Sequence, residues 1–153
     1  MKWSHLIIGL FVSGCAYNAP IQPQLVNNKA TLSLPYDQVW KATLQQLIEG
    51  GHQIKTSSRE DGYISTEKAL IRLAPDQADC GNILGIPYLK DDRTITHVSY
   101  GIALKSRSAQ TTDITVATSI DAEFNATSNS GTKHLSCFST GFLEKGLIDK
   151  IGK

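Results

Sequence analysis

The stretch VSYGIALKSRSAQTTDITVATSIDAEF, residues 98–124, decides the fold class. Val98, Tyr100, Ile102 and Leu104 fall on one parity, and after SAQTTD so do Ile114, Val116, Thr118, Ile120, Ala122 and Phe124. Side chains of a strand point alternately to its two faces, so a period of two sustained this long predicts two long antiparallel strands with one buried face. A sheet wetted on one side needs a cover on the other, and amphipathic helices are the usual one.

The flanking sequence supplies two such helices. Upstream, KATLSL reads as a strand through Ala30, Leu32 and Leu34. A helix follows, with Ser33 as the expected N-cap, Pro35 in the first turn, an apolar stripe of Val39, Trp40, Thr43, Leu44, Leu47 and Ile48, and Gly50 and Gly51 as the stop. Trp40 is expected in the core. HQIKTS and GYISTEK form a hairpin through SREDG, whose Asp-Gly suits the positive φ of a tight reversal. Residues 70–93 mix Gly, Pro and Asp with apolar residues at no steady period and read as a loop with room for one short strand. After residue 124, NATSNSG turns the chain, KHLSCF is a last strand, and STGFLEKGLIDKIGK closes with a helix carrying Phe142, Leu143, Leu147 and Ile148. The expected order is β-α-β-β-β-β-β-α. That makes the fold class α+β, an antiparallel sheet of five to six strands with two amphipathic helices packed on one face.

With 153 residues, 41% of them apolar, the chain has material for one domain with a real core over residues 29–153. Its net charge of +1, with neither sign in runs, nominates no nucleic-acid partner. The start of the chain reads as an export signal: Lys2 is the positive end, HLIIGLFV the short hydrophobic stretch and SGC the small residues of a cleavage site. The wording VSGC resembles the bacterial lipobox. That resemblance implies a signal peptide over residues 1–14, cleavage before Cys15, and a diacylglycerol on the Cys15 sulfur; ordinary cleavage nearby, after Ala16, or a fortuitous cysteine in an uncleaved anchor are the alternatives. One acyl chain holds a protein marginally and two or more hold it durably. Ala16 is not the aspartate that retains such proteins in the inner membrane of enteric-type bacteria, so the expected address is the outer membrane, lipid-anchored through N-terminal acyl chains at its periplasmic face. Residues 15–28, with two prolines and no periodicity, read as a tether that extends to roughly 40 Å.

With Cys15 set apart, Cys80 and Cys137 remain as an even pair in an oxidising compartment and are read as a disulfide. The alternative is a reactive or metal-binding thiol, with His97 and His134 in the same half of the chain. No HExxH, CxxC or GxSxG motif occurs, and Asp61, Glu67, Asp91 and Asp92 read as solvated turn residues. No catalytic residue, cofactor or metal is expected. The NAT triplet at Asn125 has meaning only in a host that glycosylates it. Ile83, Leu84, Ile86, Pro87, Tyr88 and Leu89 form an apolar group inside the irregular segment. They are candidate partner contacts, and folding back into the core is the equal alternative.

As a whole, LSLPYDQVWKATLQQLIEGGHQIKTSSREDGYISTE, residues 32–67, is similar to a unit of BamC-like outer-membrane lipoproteins: strand, helix with a Val-Trp pair, glycine stop, strand, acidic turn, strand. The resemblance implies a helix laid across an antiparallel sheet and a role as accessory subunit of β-barrel assembly. The chain differs from BamC in having one such unit and a short tether, and its tail resembles small exported lipoproteins with a cysteine pair. Two functions follow as expectations: a non-enzymatic lipoprotein that binds an envelope protein partner, or a periplasmic carrier of lipid or a small molecule held between sheet and helices.

Overall fold

The computed structural model describes residue 26, residues 28–126 and residues 131–153. The signal peptide expected at 1–14, the lipid acceptor Cys15 and nearly all of the tether lie outside the described residues, as does most of the turn at 125–131.

Elements follow in the order β1 (Lys29–Leu32), α1 (Tyr36–Glu49), β2 (Ile54–Ser58), β3 (Tyr63–Thr66), β4 (Ala69–Leu70), β5 (Ala78–Asp79), β6 (Asn82–Ile83), β7 (Ile86–Pro87), β8 (Thr94–Ser108), β9 (Thr111–Asn125), β10 (Thr132–Ser136), β11 (Phe138–Ser139) and α2 (Phe142–Ile151). The fold is α+β. Its main sheet is antiparallel, ordered β1-β9-β8-β3-β2, with β10 also on β9 and β4 also on β8, which makes seven strands. That exceeds the five to six expected, and the lengths of β8 and β9 are the reason. β3 covers residues 101–103 of β8, which leaves Val98 and His97 free to take β4 out of the irregular segment. β9 likewise carries two strands on one edge, β1 at residues 112–115 and β10 at 121–125.

The alternation seen in the sequence is the alternation of burial. Val98, Ile102 and Val116 are fully buried and Ile114 nearly so, while Ser99, Ala103 and Thr115 lie on the opposite face. Both helices pack against β9 and against each other, and α1 also meets β8. Burial of a Val, Leu or Ile side chain contributes roughly 1.5–3 kcal/mol, so this seam dominates the core.

Helix α1 starts later than Ser33. Pro35 keeps an extended ψ of 148° and disfavours helix at Leu34 before it, so Pro35 itself is the N-cap and its carbonyl accepts from Gln38 N at 3.0 Å and Val39 N at 3.1 Å. Leu34 is held instead by its carbonyl, which accepts the Thr112 hydroxyl at 2.9 Å. At the other end His52 N donates to Leu47 O and Gly51 N to Ile48 O, with Gly51 at φ 79°, a Schellman closure. Val39, Thr43 and Leu47 form the buried stripe, whereas Trp40 is only half-buried, stacked on Tyr36, and Ile48 is exposed. The buried stripe is the single row Val39, Thr43 and Leu47, and the neighbouring row of Trp40, Leu44 and Ile48 on one side of it is only half-buried or exposed.

The Asp-Gly reversal is doubly constrained. Gly62 has φ 65°, and a Cβ there would stand 2.0 Å from the Leu104 carbonyl oxygen. That close approach lets Leu104 N donate to Gly62 O at 2.7 Å and couples the β2–β3 turn to β8.

Candidate functional site

The segment 78–91 is organised around the disulfide between Cys80 and Cys137. β5, just before Cys80, pairs with β11, just after Cys137, so the covalent link and a two-residue ladder close the same junction. From it projects the β6–β7 hairpin, with Ile83 opposite Ile86 and a two-residue loop of Leu84 and Gly85. Both loop residues have positive φ, 52° and 81°, as a type I′ connection requires. Below the hairpin, Asp79 accepts from Gly81 N at 2.8 Å and Gly81 O accepts from Tyr88 N at 3.0 Å.

The structure divides the apolar group in two. Tyr88 and Leu89 are buried in the core. The Tyr88 ring meets Phe124 edge-on at 5.1 Å, its carbonyl accepts the Thr94 hydroxyl at 2.6 Å, and its own hydroxyl accepts from Lys133 Nζ at 2.9 Å. They are foundations and offer no contact surface. Pro87 is half-buried between the halves and caps a short 3-10 turn over Tyr88–Lys90. Ile83, Leu84 and Ile86 face outward at 44%, 88% and 58% exposure. No charged residue occurs between Asn82 and Leu89.

Leu84 is the informative residue. A bulky side chain at positive φ costs on the order of 1–2 kcal/mol, and a position this exposed recovers nothing from the core. Glycine or asparagine would fill the turn at lower energy. No family model matches the chain and no curated protein matches its sequence. The hairpin therefore stands on its own geometry.

Among the described residues no group of three or more His, Cys, Asp or Glu side chains is placed to hold a metal ion. His97 lies opposite Asp121, and His134 lies opposite Glu123 with Nδ1 at 3.5 Å from its carboxylate. Asp91 is bound by Arg93, whose side chain and backbone hydrogen bonds hold the carboxyl down at about 2. Asp92 pairs with Arg72, Glu67 with Lys55, and Asp61 accepts the Ser58 hydroxyl.

A polar cluster that the sequence pattern does not reveal lies between α2 and the sheet. Glu144 is buried and accepts hydrogen bonds from Thr118 and from the Ser139 hydroxyl, the latter at 2.6 Å. Tyr100 lies on the same buried face, with His52 edge-on at 4.8 Å. Burial pushes the His52 imidazole below its ordinary value, and burial followed by the field of Glu144 pushes the Tyr100 phenol up to about 12. The unfolded phenol ionises near 10, so the folded state binds the proton more tightly. Stability is fully present below pH 10 and falls between 10 and 12, by on the order of 2–3 kcal/mol. Tyr100→Phe should flatten that part of a denaturant-melt series taken from pH 9 to 12; an unchanged slope would contradict the assignment.

Proposed function

We propose that the chain is a non-enzymatic, lipid-anchored outer-membrane lipoprotein that serves as a protein-binding accessory of an envelope complex, with the β6–β7 hairpin as its contact element. The observation that carries this reading is Leu84: exposed, uncharged surroundings, unfavourable backbone, braced base. A strained residue that contributes nothing to its own fold points to a use outside it. The disulfide supports an exported, oxidising address. The lipobox wording VSGC supports Cys15 as the anchor. The strand-helix-hairpin unit at residues 32–67, similar to BamC-like lipoproteins, favours β-barrel assembly as the machinery.

Magnitudes say how such a tip would work. Three aliphatic side chains fully buried in a partner pocket contribute roughly 1.5–3 kcal/mol each, from which association entropy is subtracted. That is weak binding for a free protein. Two-dimensional confinement by the anchor raises the effective concentration and makes a weak tip sufficient.

The test uses the lipidated protein with a photo-crosslinking residue at position 84. A single envelope protein should crosslink there, and in a parallel affinity pull-down of protein without the crosslinker Leu84→Asn should abolish recovery of that same partner while raising stability by about 1 kcal/mol. Equal recovery with Leu84→Asn would sink the hairpin as the contact. Intact-mass measurement of the same preparation should show acyl mass on Cys15; an unmodified thiol would remove the anchor.

A further inference from the structure

The face of the sheet away from the helices carries a second feature, where the tether joins the fold. Direct pairing places Lys29, Thr115 and Ala103 in one row across β1, β9 and β8, and Thr31, Asp113 and Lys105 in the next. The small side chains of Ala103 and Thr115 make a floor. Lys29 and Lys105 rise as walls, Asp61 reaches in from the β2–β3 turn, and Arg107 closes the end, an open trough of about 780 Å³. Arg107 sits at a β-bulge, the extra residue between Ser106 and Ser108, which is how a sheet re-aims one side chain.

The charges in the trough are unequally committed. Asp113 accepts the Thr31 hydroxyl at 2.7 Å and Arg107 Nε at 3.0 Å, and these bonds, the threonine first, hold its carboxyl below the usual range. Asp61 accepts the Ser58 hydroxyl at 2.6 Å. The side-chain amines of Lys29 and Lys105 have no hydrogen bond or ion pair among the described residues, although Lys105 adds its field at Asp113. Two ammonium groups without a hydrogen-bonded partner and the outer edge of a guanidinium thus face one cavity, in which Arg107 is paired with Asp113 and the Asp61 carboxylate is held by Ser58, so that three cations outnumber two carboxylates. That is the donor set for a phosphate group.

Lys29 is the first residue of β1, and Asn28 just before it accepts Val116 N at 2.8 Å, so the segment that begins at Cys15 reaches the fold at the rim of the trough. We infer that the trough seats the phosphate of an anionic lipid headgroup, docking the domain on the membrane to which its tether leads. The inference rests on the lipid-anchor reading above. Exposed cations near an anionic leaflet each strengthen association about fivefold, and salt screens the effect.

The experiment places the lipidated protein, its acyl mass verified, in nanodiscs of phosphatidylglycerol with phosphatidylethanolamine or of phosphatidylcholine alone, with a headgroup spin label. Amides of residues 29, 103, 105 and 115 should broaden in the anionic discs and recover at high salt. Lys29→Gln combined with Lys105→Gln should lower the docked-to-undocked ratio about 25-fold. Equal broadening in neutral discs, or none in anionic ones, overturns the inference. Shifts of the same amides with inorganic phosphate, without broadening in discs, assign the trough to free phosphate and overturn the lipid source. A missing acyl mass defeats the anchor reading alone; the unlipidated chain on anionic vesicles, with the same amides as readout, then decides the trough separately.

Discussion

Replacing Cys80 and Cys137 together by serine is expected to lower the free energy of unfolding by about 4 kcal/mol. The bond joins residues 57 apart in sequence, and the loop it closes contains β6 to β10, including both long strands. Restricting that much chain in the unfolded ensemble gives about 4 kcal/mol on the loop-entropy estimate. Domains of this size are stable by only about 5–15 kcal/mol, so the change is a large fraction of the whole and should appear as a fall of roughly 10–20 °C in Tm. The double variant is preferred to either single one because a lone thiol can form intermolecular bonds. Thermal melts of the parent with and without reductant, alongside the double variant, provide the measurement. Coincident curves with both thiols shown to be alkylatable would refute the estimate. A second consequence is local. β5 and β11 make only a two-residue ladder, so without the covalent link the base of the hairpin opens more readily and crosslinking from position 84 should fall even where the rest of the fold survives.

The parts of the fold legible in sequence are those where one periodicity governs many residues. Residues 98–124 gave their strands and their buried face because Val98, Ile102, Ile114 and Val116 repeat one choice, and no local exception can reverse a pattern that long. α1 was legible in its body and less so at its edges. Ser33 is a common N-cap, but the fixed ring of Pro35 and its restriction of Leu34 set the boundary two residues on. Trp40 and Ile48 are apolar by composition, and only the contact line of the helix on the sheet shows that Trp40 lies at the margin and Ile48 in solvent.

The irregular segment hid its order for a different reason. β4, β5, β6 and β7 are two residues each, too short to show any period, and they exist because β8, β11 and the Cys80–Cys137 bond stand beside them. The hairpin turn was masked further by its own composition. Leu84-Gly85 occupies the place where Asn-Gly would have announced a reversal, and the departure from the turn rule is the feature that marks the site. The trough was illegible for yet another reason: Lys29, Lys105 and Asp113 are ordinary surface charges until strand register places them in adjacent rows.

The second large effect concerns α2, where a charged residue sits on the buried face. Phe142 counts among the apolar residues of STGFLEKGLIDKIGK together with Leu143, Leu147 and Ile148, yet Phe142 is 53% exposed and Glu144 is 3% exposed. The start of α2 explains the rotation. Gly141 takes φ 93° as N-cap, and its N–H donates to Ser139 Oγ at 3.0 Å while the Ser139 hydroxyl donates to Glu144. Ser139 therefore links the cap to the third residue of the helix, and Thr118 of β9 completes the pair of donors to the carboxyl group. The arrangement ties α2, β11 and β9 at one point. Glu144→Ala leaves two half-buried hydroxyls without their acceptor and opens a cavity at a buried position, and hydrogen bonds to a charged group are worth about 1.5–3 kcal/mol each, so a loss of roughly 3 kcal/mol is expected. Glu144→Gln keeps one oxygen acceptor and the volume and should lose about half as much. Denaturant melts of the two variants give the ordering. If Glu144→Leu, which fills the space with carbon, equals the parent in stability, the carboxyl group is dispensable and packing alone holds the helix; if it falls with Glu144→Ala, the hydrogen-bonded junction is what seats α2 on the sheet.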